Sequence, residues 1–299
     1  MDINVIGVPL FFGCDREGVN LSPNILRNNG LIDTLKNNHR VYDLGDLHVP
    51  EKPNDKFSSH DNMKYFKEIQ EVNNNLAQSV YCSLNSGFFP LIIGGDHALG
   101  LGSICGVSKF FSPDNFAVIW IDAHGDINTP QSSPSGNVHG MPLAAAMGIG
   151  HDDMTNLFFQ GRKVNPDNVY IIGARDLDKG ELSLIRDLHL KVWTTEEVKA
   201  IGVASLIDEI LRDLSKKGIN NIHLSYDIDS LDKSLVPGTG TPVEEGLDLK
   251  TIEDILCSLL KTQLVKSMDF VELNSSLDFN NKTLKVALQL LETISSSLK

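Results

Sequence analysis

Short apolar runs alternate with amphipathic stretches over the whole length of this chain. Ile3–Val8, Val41–Leu44, Phe89–Ile93, Phe116–Ile121, Val169–Gly173, Lys191–Trp193, Ile222–Tyr226 and Leu264–Val271 read as strands. Between them, Asn24–Lys36, Met63–Leu84, a stretch ending near Phe111, Met141–Met147, Glu181–Leu188, Val203–Lys217, Leu249–Leu260 and Lys282–Leu298 read as helices. Runs that are apolar throughout, such as Phe116–Ile121, mark strands covered on both faces. This alternation predicts an α/β fold: a three-layer domain with a mostly parallel sheet flanked by helices. No low-complexity linker or internal repeat divides residues 1–299, so a single domain is expected over the chain. Gly13–Ser22 and Glu51–Asp61 read as polar loops, and His151–Asp167 as an irregular segment.

The polar residues that interrupt this pattern gather just after strands. Phe116–Ile121 ends in Asp122, His124 and Asp126; Phe89–Ile93 is followed by Gly94-Gly-Asp-His97; Ile222–Tyr226 runs into Asp227 and Asp229. Alternate side chains of an extended chain share a face, and open α/β sheets place their sites at the carboxyl ends of strands. His97, Asp122, His124, Asp126, Asp227 and Asp229 are therefore expected at one edge of the sheet. Taken singly, each is also what a cap or turn uses. Crowded together, the carboxylates repel and desolvate one another unless cations hold them. A carboxylate-rich set with some imidazole and no thiolate suits manganese, and zinc or iron(II) less well. Six ligands are too many for one open catalytic ion and suit two ions sharing carboxylates, about 3.5–4 Å apart. No P-loop and no glycine-rich dinucleotide fingerprint occurs.

Charge narrows the class of partner. A formal net charge of -13 at pH 7 argues against a nucleic-acid binder, which needs clustered Lys and Arg. It favours a cationic small molecule through long-range attraction. With 41% hydrophobic and 22% charged residues the chain has material for a real core. Cys14, Cys82, Cys105 and Cys257 are scattered without a CxxC pair, as free thiols in a reducing compartment are. No signal-peptide pattern and no apolar run of membrane-span length is present. A cytoplasmic protein without membrane contact is expected.

Five ordered motifs sharpen this picture: Gly94-Gly-Asp-His97, Asp122-Ala-His-Gly-Asp-Ile-Asn128, Ser135-Gly-Asn-Val-His139, Asp227-Ile-Asp-Ser-Leu-Asp232 with Gly240-Thr-Pro242, and Phe270-Val-Glu-Leu-Asn274. Together they resemble the ureohydrolase family, and within it the bacterial type of arginase, from the first strand to the last helix. The resemblance implies hydrolysis of L-arginine to L-ornithine and urea by a hydroxide bridging two manganese ions (Mn2+) per chain. It puts the six residues above on the family's ligand positions. His97, Asp122, Asp126 and Asp229 would hold one ion; His124, Asp122, Asp126, Asp227 and Asp229 would supply the other. It further implies that Glu272 orients the guanidinium and that His139 shuttles the proton needed by the leaving amine. Asn128, Ser135 and Asn137 match positions that bind the α-carboxylate, Asp178 and Glu181 those around the α-amino group. Thr241 matches a position near the metals. A homo-oligomer, trimer or hexamer, is implied too.

Related amidinohydrolases (agmatinase, guanidinobutyrase or formimidoylglutamase) are the alternative within the family. Agmatinases as a group lack the Ser-Gly-Asn-x-His arrangement. A catalytically silent metal-binding scaffold is the alternative of a different class, and the presence of both Glu272 and His139 speaks against it. Ser22, Ser230, Lys233 and Ser275 depart from the Gly, Gly, Pro and Pro usual in the family; none is an expected ligand.

Overall fold

A computed structural model describes residues 1–299. Eight strands form one sheet in the order β2-β1-β3-β8-β7-β4-β5-β6, and every pairing in it is parallel. They are β1 Asp2–Val8, β2 Arg40–Asp46, β3 Phe89–Gly94, β4 Ala117–Ile121, β5 Val169–Ala174, β6 Lys191–Thr194, β7 Ile222–Asp227 and β8 Val265–Val271. Each falls on a run that the apolar pattern marked as a strand. The helices are α1 Ser22–Asn28, α2 Leu31–Lys36, α3 Phe66–Asn85, α4 Gly100–Phe111, α5 Pro142–Ala146, α6 Asp152–Thr155, α7 Lys179–Leu188, α8 Thr195–Ile201, α9 Val203–Lys217, α10 Leu249–Lys261 and α11 Lys282–Ser297.

Strand periodicity builds the layers. Along β4, Ala117, Ile119 and Ile121 enter one core, while Val118 and Trp120 enter the other. The first core packs against α2, α9, α10 and α11, the second against α3, α4 and α5. Helices thus cover both faces, and the strands need to be apolar on both. No helix is long and apolar enough to cross a membrane.

Four segments differ from the expectation. Asn24–Lys36 is two helices, broken at Gly30, whose φ of 95° closes α1 off from α2. The helix expected from Met63 begins at Phe66, because Asn62 and Tyr65 adopt φ values of 56° and 53°. His151–Asp167 is not wholly irregular: it holds α6, whose first turn is capped by the His151 side chain accepting from Asp153 N. Helix α8 was not expected, although Thr194 and Glu197 form a capping box at its start.

This topology also positions the chemistry. Strands β3, β8, β7 and β4 are neighbours at the centre of the sheet. His97 follows β3, Glu272 follows β8, Asp227 and Asp229 close β7, and Asp122, His124 and Asp126 follow β4. All lie at carboxyl ends, outside the sheet's middle.

Ile119 is fully buried at the centre of the sheet. Ile119→Ala should cost about 2–5 kcal/mol, the range for emptying a packed aliphatic site. Denaturant unfolding checks this as a lower midpoint at unchanged slope. A cost under about 1 kcal/mol would contradict the packing described.

Candidate metal centre and active-site cleft

The turn after β3 brings His97 to the edge. Gly95 is required there, since a Cβ on it would lie 1.9 Å from Leu10 O. Asp96 then caps the short helical turn that holds His97, accepting from Ala98 N at 3.1 Å. His97 Nδ1 faces three carboxylates: Asp122 Oδ2 at 2.9 Å, Asp227 Oδ2 at 3.1 Å and Asp126 Oδ2 at 3.2 Å. His124 Nδ1 lies 3.2 Å from Asp122 Oδ1 and 3.3 Å from Asp229 Oδ2. Two ligand triads result, His97–Asp122–Asp227 and Asp122–His124–Asp229, with Asp122 common to both.

All six residues expected to converge do so, but the division between the two groups differs from the expected one. Asp227, not Asp229, stands against His97. Asp227 is the last residue of β7 and continues the strand direction. Asp229 lies in the following turn, where its backbone N donates to Asp227 Oδ1 at 2.8 Å and its Oδ1 accepts from Ala123 N at 3.3 Å. That bond draws it toward the β4 loop and His124.

Electrostatics decides what such a cluster can hold. Burial drives these carboxylates toward the neutral form. Asp126 is pushed up to about 6 by burial and by the Asp122 charge. Asp227 is held well above the carboxylate range by burial and by Asp229 and Asp122; Asp229 is raised by burial and by Asp122. Asp122 goes the other way: burial opposes its charge, yet the His124 and His97 bonds hold it below the usual range. For both imidazoles burial opposes protonation, and the surrounding aspartates overcome it, holding them well above the histidine range. Without a cation, then, protons must accumulate to neutralise the site. Oxygen and imidazole donors with no thiolate fit divalent cations of the manganese type, and cations would displace those protons.

Two residues at the centre hold a left-handed backbone: Asp126 at φ 54° and Glu272 at φ 66°. For non-glycine residues that conformation costs about 1–3 kcal/mol and is kept where surrounding contacts over-determine it. Asp126 O accepts from Leu143 N at 3.0 Å, and Glu272 N donates to Gly95 O at 2.9 Å. Glu272 Oε1 accepts from His97 N at 2.9 Å and lies 3.2 Å from His139 Nδ1. Its Oε2 is buried with no partner. For His139, burial opposes protonation, but the Glu272 hydrogen bond and charge raise it above the histidine range.

Above the cluster opens a cleft of about 130 Å³ with no apolar lining residue. His124, Asp126 and His139 line it, as do Asn128, Ser135, Asn137, Asp178, Glu181 and Thr241. Every expected substrate residue is therefore at the same cleft. Asn128 Nδ2 donates to Asp178 Oδ2 at 2.8 Å, and Asn137 Nδ2 to Cys14 O at 3.3 Å; each amide keeps one N–H to give. Ser135 Oγ accepts from Asn137 N at 3.1 Å and keeps its O–H. Thr241 Oγ1 donates to Asp229 Oδ2 at 3.2 Å. Both Glu181 oxygens are engaged, accepting from Ile127 N at 3.2 Å and Asp178 N at 2.9 Å. Glu181 thus joins the β4 loop to the start of α7.

Sequence reasoning missed several contributors. Ser133 and Asp176 also line the cleft. Lys64 N donates to Gly136 O at 2.9 Å and its Nζ to Asn137 Oδ1 at 2.7 Å, bracing the loop from a segment read as helix. Arg175 donates to Asp229 O at 2.8 Å, Leu231 O at 3.0 Å, Ser230 O at 3.1 Å and Glu244 O at 2.9 Å. It clamps the turn that carries Asp229. Such contacts span tens of residues and leave no local signal.

Fold and site together define an α/β protein with a buried carboxylate–imidazole centre suited to metal-assisted hydrolysis. Residues 1–296 match the model of the arginase family. Arginase of Brevibacillus brevis is 42% identical over 294 residues, covering 98% of this chain and 97% of that one. The native structure of arginase from Bacillus caldovelox aligns with a TM-score of 0.93 at 38% identity, over 98% of both chains. Entamoeba histolytica arginase, solved in complex with L-ornithine, aligns with a TM-score of 0.91 at 32% identity, again over 98% of both. The chain belongs to the arginase family, a family of metal-dependent hydrolases acting on the guanidino C–N bond.

If cations relieve the repulsion in the cluster, chelation should lower the thermal midpoint and Mn2+ should raise it again, the stability gained being about 2.7 kcal/mol per site at a hundredfold excess over Kd. Asp122→Ala removes the carboxylate common to both triads. It should abolish the metal-dependent gain, and a gain of wild-type size in that variant would refute the assignment.

Proposed function

We propose that this protein hydrolyses L-arginine to L-ornithine and urea with two Mn2+ ions per chain. His97, Asp122, Asp126 and Asp227 would hold one ion, and His124, Asp122, Asp227 and Asp229 the other. The observation that carries the proposal is Glu272 Oε2, a buried carboxylate oxygen without a partner beside the metal triads. A guanidinium is planar, presents paired N–H donors and pairs well with a carboxylate. Bound ions supply Lewis acidity and a hydroxide nucleophile from water near neutral pH, which a resonance-stabilised electrophile needs.

The protein's own groups do the rest. Glu272 Oε1 is held by His97 N and His139, which leaves Oε2 to fix the guanidinium. The leaving δ-amine departs only when protonated. His139 holds Nδ1 on Glu272 and keeps Nε2 for that proton, and the Glu272 hydrogen bond and charge raise its basicity against the opposing effect of burial. Spare donors on Asn128, Ser135 and Asn137 suit an α-carboxylate, and Asp178 an α-ammonium. The Entamoeba histolytica relative, solved with L-ornithine, supports an amino-acid substrate of this shape. Glu181 contributes by holding Ile127 and Asp178 in place. The substrate is cationic at its guanidinium, in keeping with the acidic chain.

Two measurements test this. His139→Asn should keep metal content and lower turnover by about 10²–10⁴-fold, the scale of general acid–base groups; wild-type turnover at pH 7 would remove His139 from the mechanism. Urea release should favour arginine over agmatine by at least about 10³ in kcat/KM, because agmatine leaves the carboxylate donors unpaired. Asn137→Ala should erode that ratio mainly by harming arginine. Comparable wild-type rates on both substrates would reject selectivity for arginine through its α-carboxylate while leaving metal-assisted hydrolysis standing.

A further inference from the structure

A second polar cluster lies in the sheet, and none of its members lines the cleft. Asp269 and Ser267 on β8, His223 and Ser225 on β7, and Ser103 on α4 all have no solvent exposure. Strand register sets them side by side: His223 pairs with Ser267 and Ser225 with Asp269. Asp269 Oδ2 lies 2.7 Å from Ser103 Oγ, 3.0 Å from Ser225 Oγ and 3.0 Å from His223 Nε2. His223 Nδ1 lies 2.8 Å from Ser267 Oγ. Ser225 Oγ in turn is 2.8 Å from His97 Nε2, on the side of the ring away from the aspartates.

Counting protons fixes the direction of this chain. A carboxylate offers only acceptors, and a serine hydroxyl has one hydrogen. Ser225 gives that hydrogen to Asp269, so toward His97 it can only accept. His97 Nε2 must then carry a proton. In the neutral ring this leaves Nδ1 bare, with its lone pair toward Asp122, Asp126 and Asp227, as a metal ligand requires. Were Ser225 absent, three carboxylates at 2.9–3.2 Å would favour the Nδ1–H tautomer, which cannot ligate. Stacking on Trp120 at 3.9 Å holds the plane of the ring but does not choose its tautomer.

We propose that Asp269, acting through Ser225, is a positioning residue that holds His97 in the tautomer that binds metal. The proposal rests on the reading of His97 as a metal ligand. It assigns work to a buried carboxylate that touches neither substrate nor metal triad. Removing an outer hydrogen-bond partner of a ligating imidazole typically weakens metal binding by about 10–100-fold.

The test is Mn2+ affinity, by chelator competition, for the wild type, His97→Ala, Ser225→Ala, Ser225→Thr and Asp269→Asn, with a thermal midpoint for each. Ser225→Ala should bind at least about tenfold more weakly, Asp269→Asn should shift in the same direction, and Ser225→Thr, which keeps the hydroxyl, should recover most of the loss. A second readout uses zinc as a diamagnetic probe in the histidine-labelled full chain. Proton–nitrogen NMR should show a slowly exchanging His97 Nε2–H that Ser225→Ala exposes to exchange. Folded Ser225→Ala and Asp269→Asn proteins binding within about twofold of wild type, where about tenfold is expected, would overturn the relay. So would an unprotonated Nε2 in the wild type, which needs no variant to fold. Retained affinity in His97→Ala would instead overturn the ligand reading beneath it.

Discussion

Mutual repulsion among Asp122, Asp126, Asp227 and Asp229 is the constraint on which the rest of this molecule depends. All four are buried, out of reach of the water that would otherwise screen them. Burial of that many carboxylates is tolerable only with protons or cations to take up the charge. His97 and His124 supply part of the compensation, drawn to high basicity by the same aspartates. The surrounding scaffold supplies geometry. Four adjacent strands end at the cluster, Arg175 pins the Asp229 turn through its carbonyls, and Asp126 and Glu272 hold a costly backbone shape. Rigid acceptors that cannot move apart are the condition for a strong cation site, so folding and metal binding draw on the same interactions.

The cleft above the cluster is built differently. The centre rests on strand ends, but the cleft walls come from loops, chiefly the segments carrying Asn128–His139 and Asp176–Glu181. Loops of this kind hold position only when something braces them. Lys64 and Asn62 do this from the loop before α3, through Asn137 and the carbonyls of Ser133 and Gly136. Glu181 does it from α7 through Ile127. Hydrogen-bond donors and acceptors then share one polar cleft, with the unpartnered Glu272 oxygen buried beside it; under the proposed function these would meet the two ends of the substrate. Ser230, a departure from the family pattern, is accommodated by donating to Asp227 O at 2.7 Å.

Much of this was legible beforehand, and the reasons are particular. The strands could be read because a sheet covered on both faces demands continuous apolar runs, and β4 shows one from Ala117 to Ile121. The candidate ligands could be read because Asp122, His124, Asp126, Asp227 and Asp229 crowd directly after such runs. Helix boundaries were less legible. Gly30 breaks a helix whose apolar spacing continues across it, and Asn62 and Tyr65 delay α3 by adopting left-handed backbones that many residues reject. Helix α8 did carry a local signal, the capping box of Thr194 and Glu197.

The amino-acid sequence by itself determined the layers, the edge of the sheet where the acidic and imidazole side chains gather, and the family. These follow from periodicity and residue type, which are local properties of the chain. Tertiary structure alone decided that Asp227 rather than Asp229 faces His97, that Lys64 braces Asn137, that Glu181 is engaged by backbone amides, and that Asp269 reaches His97 through Ser225. Each depends on distances of a few ångströms between segments far apart in sequence. Strand periodicity states which face a side chain takes, whereas the register and order of neighbouring strands state which side chain it meets there.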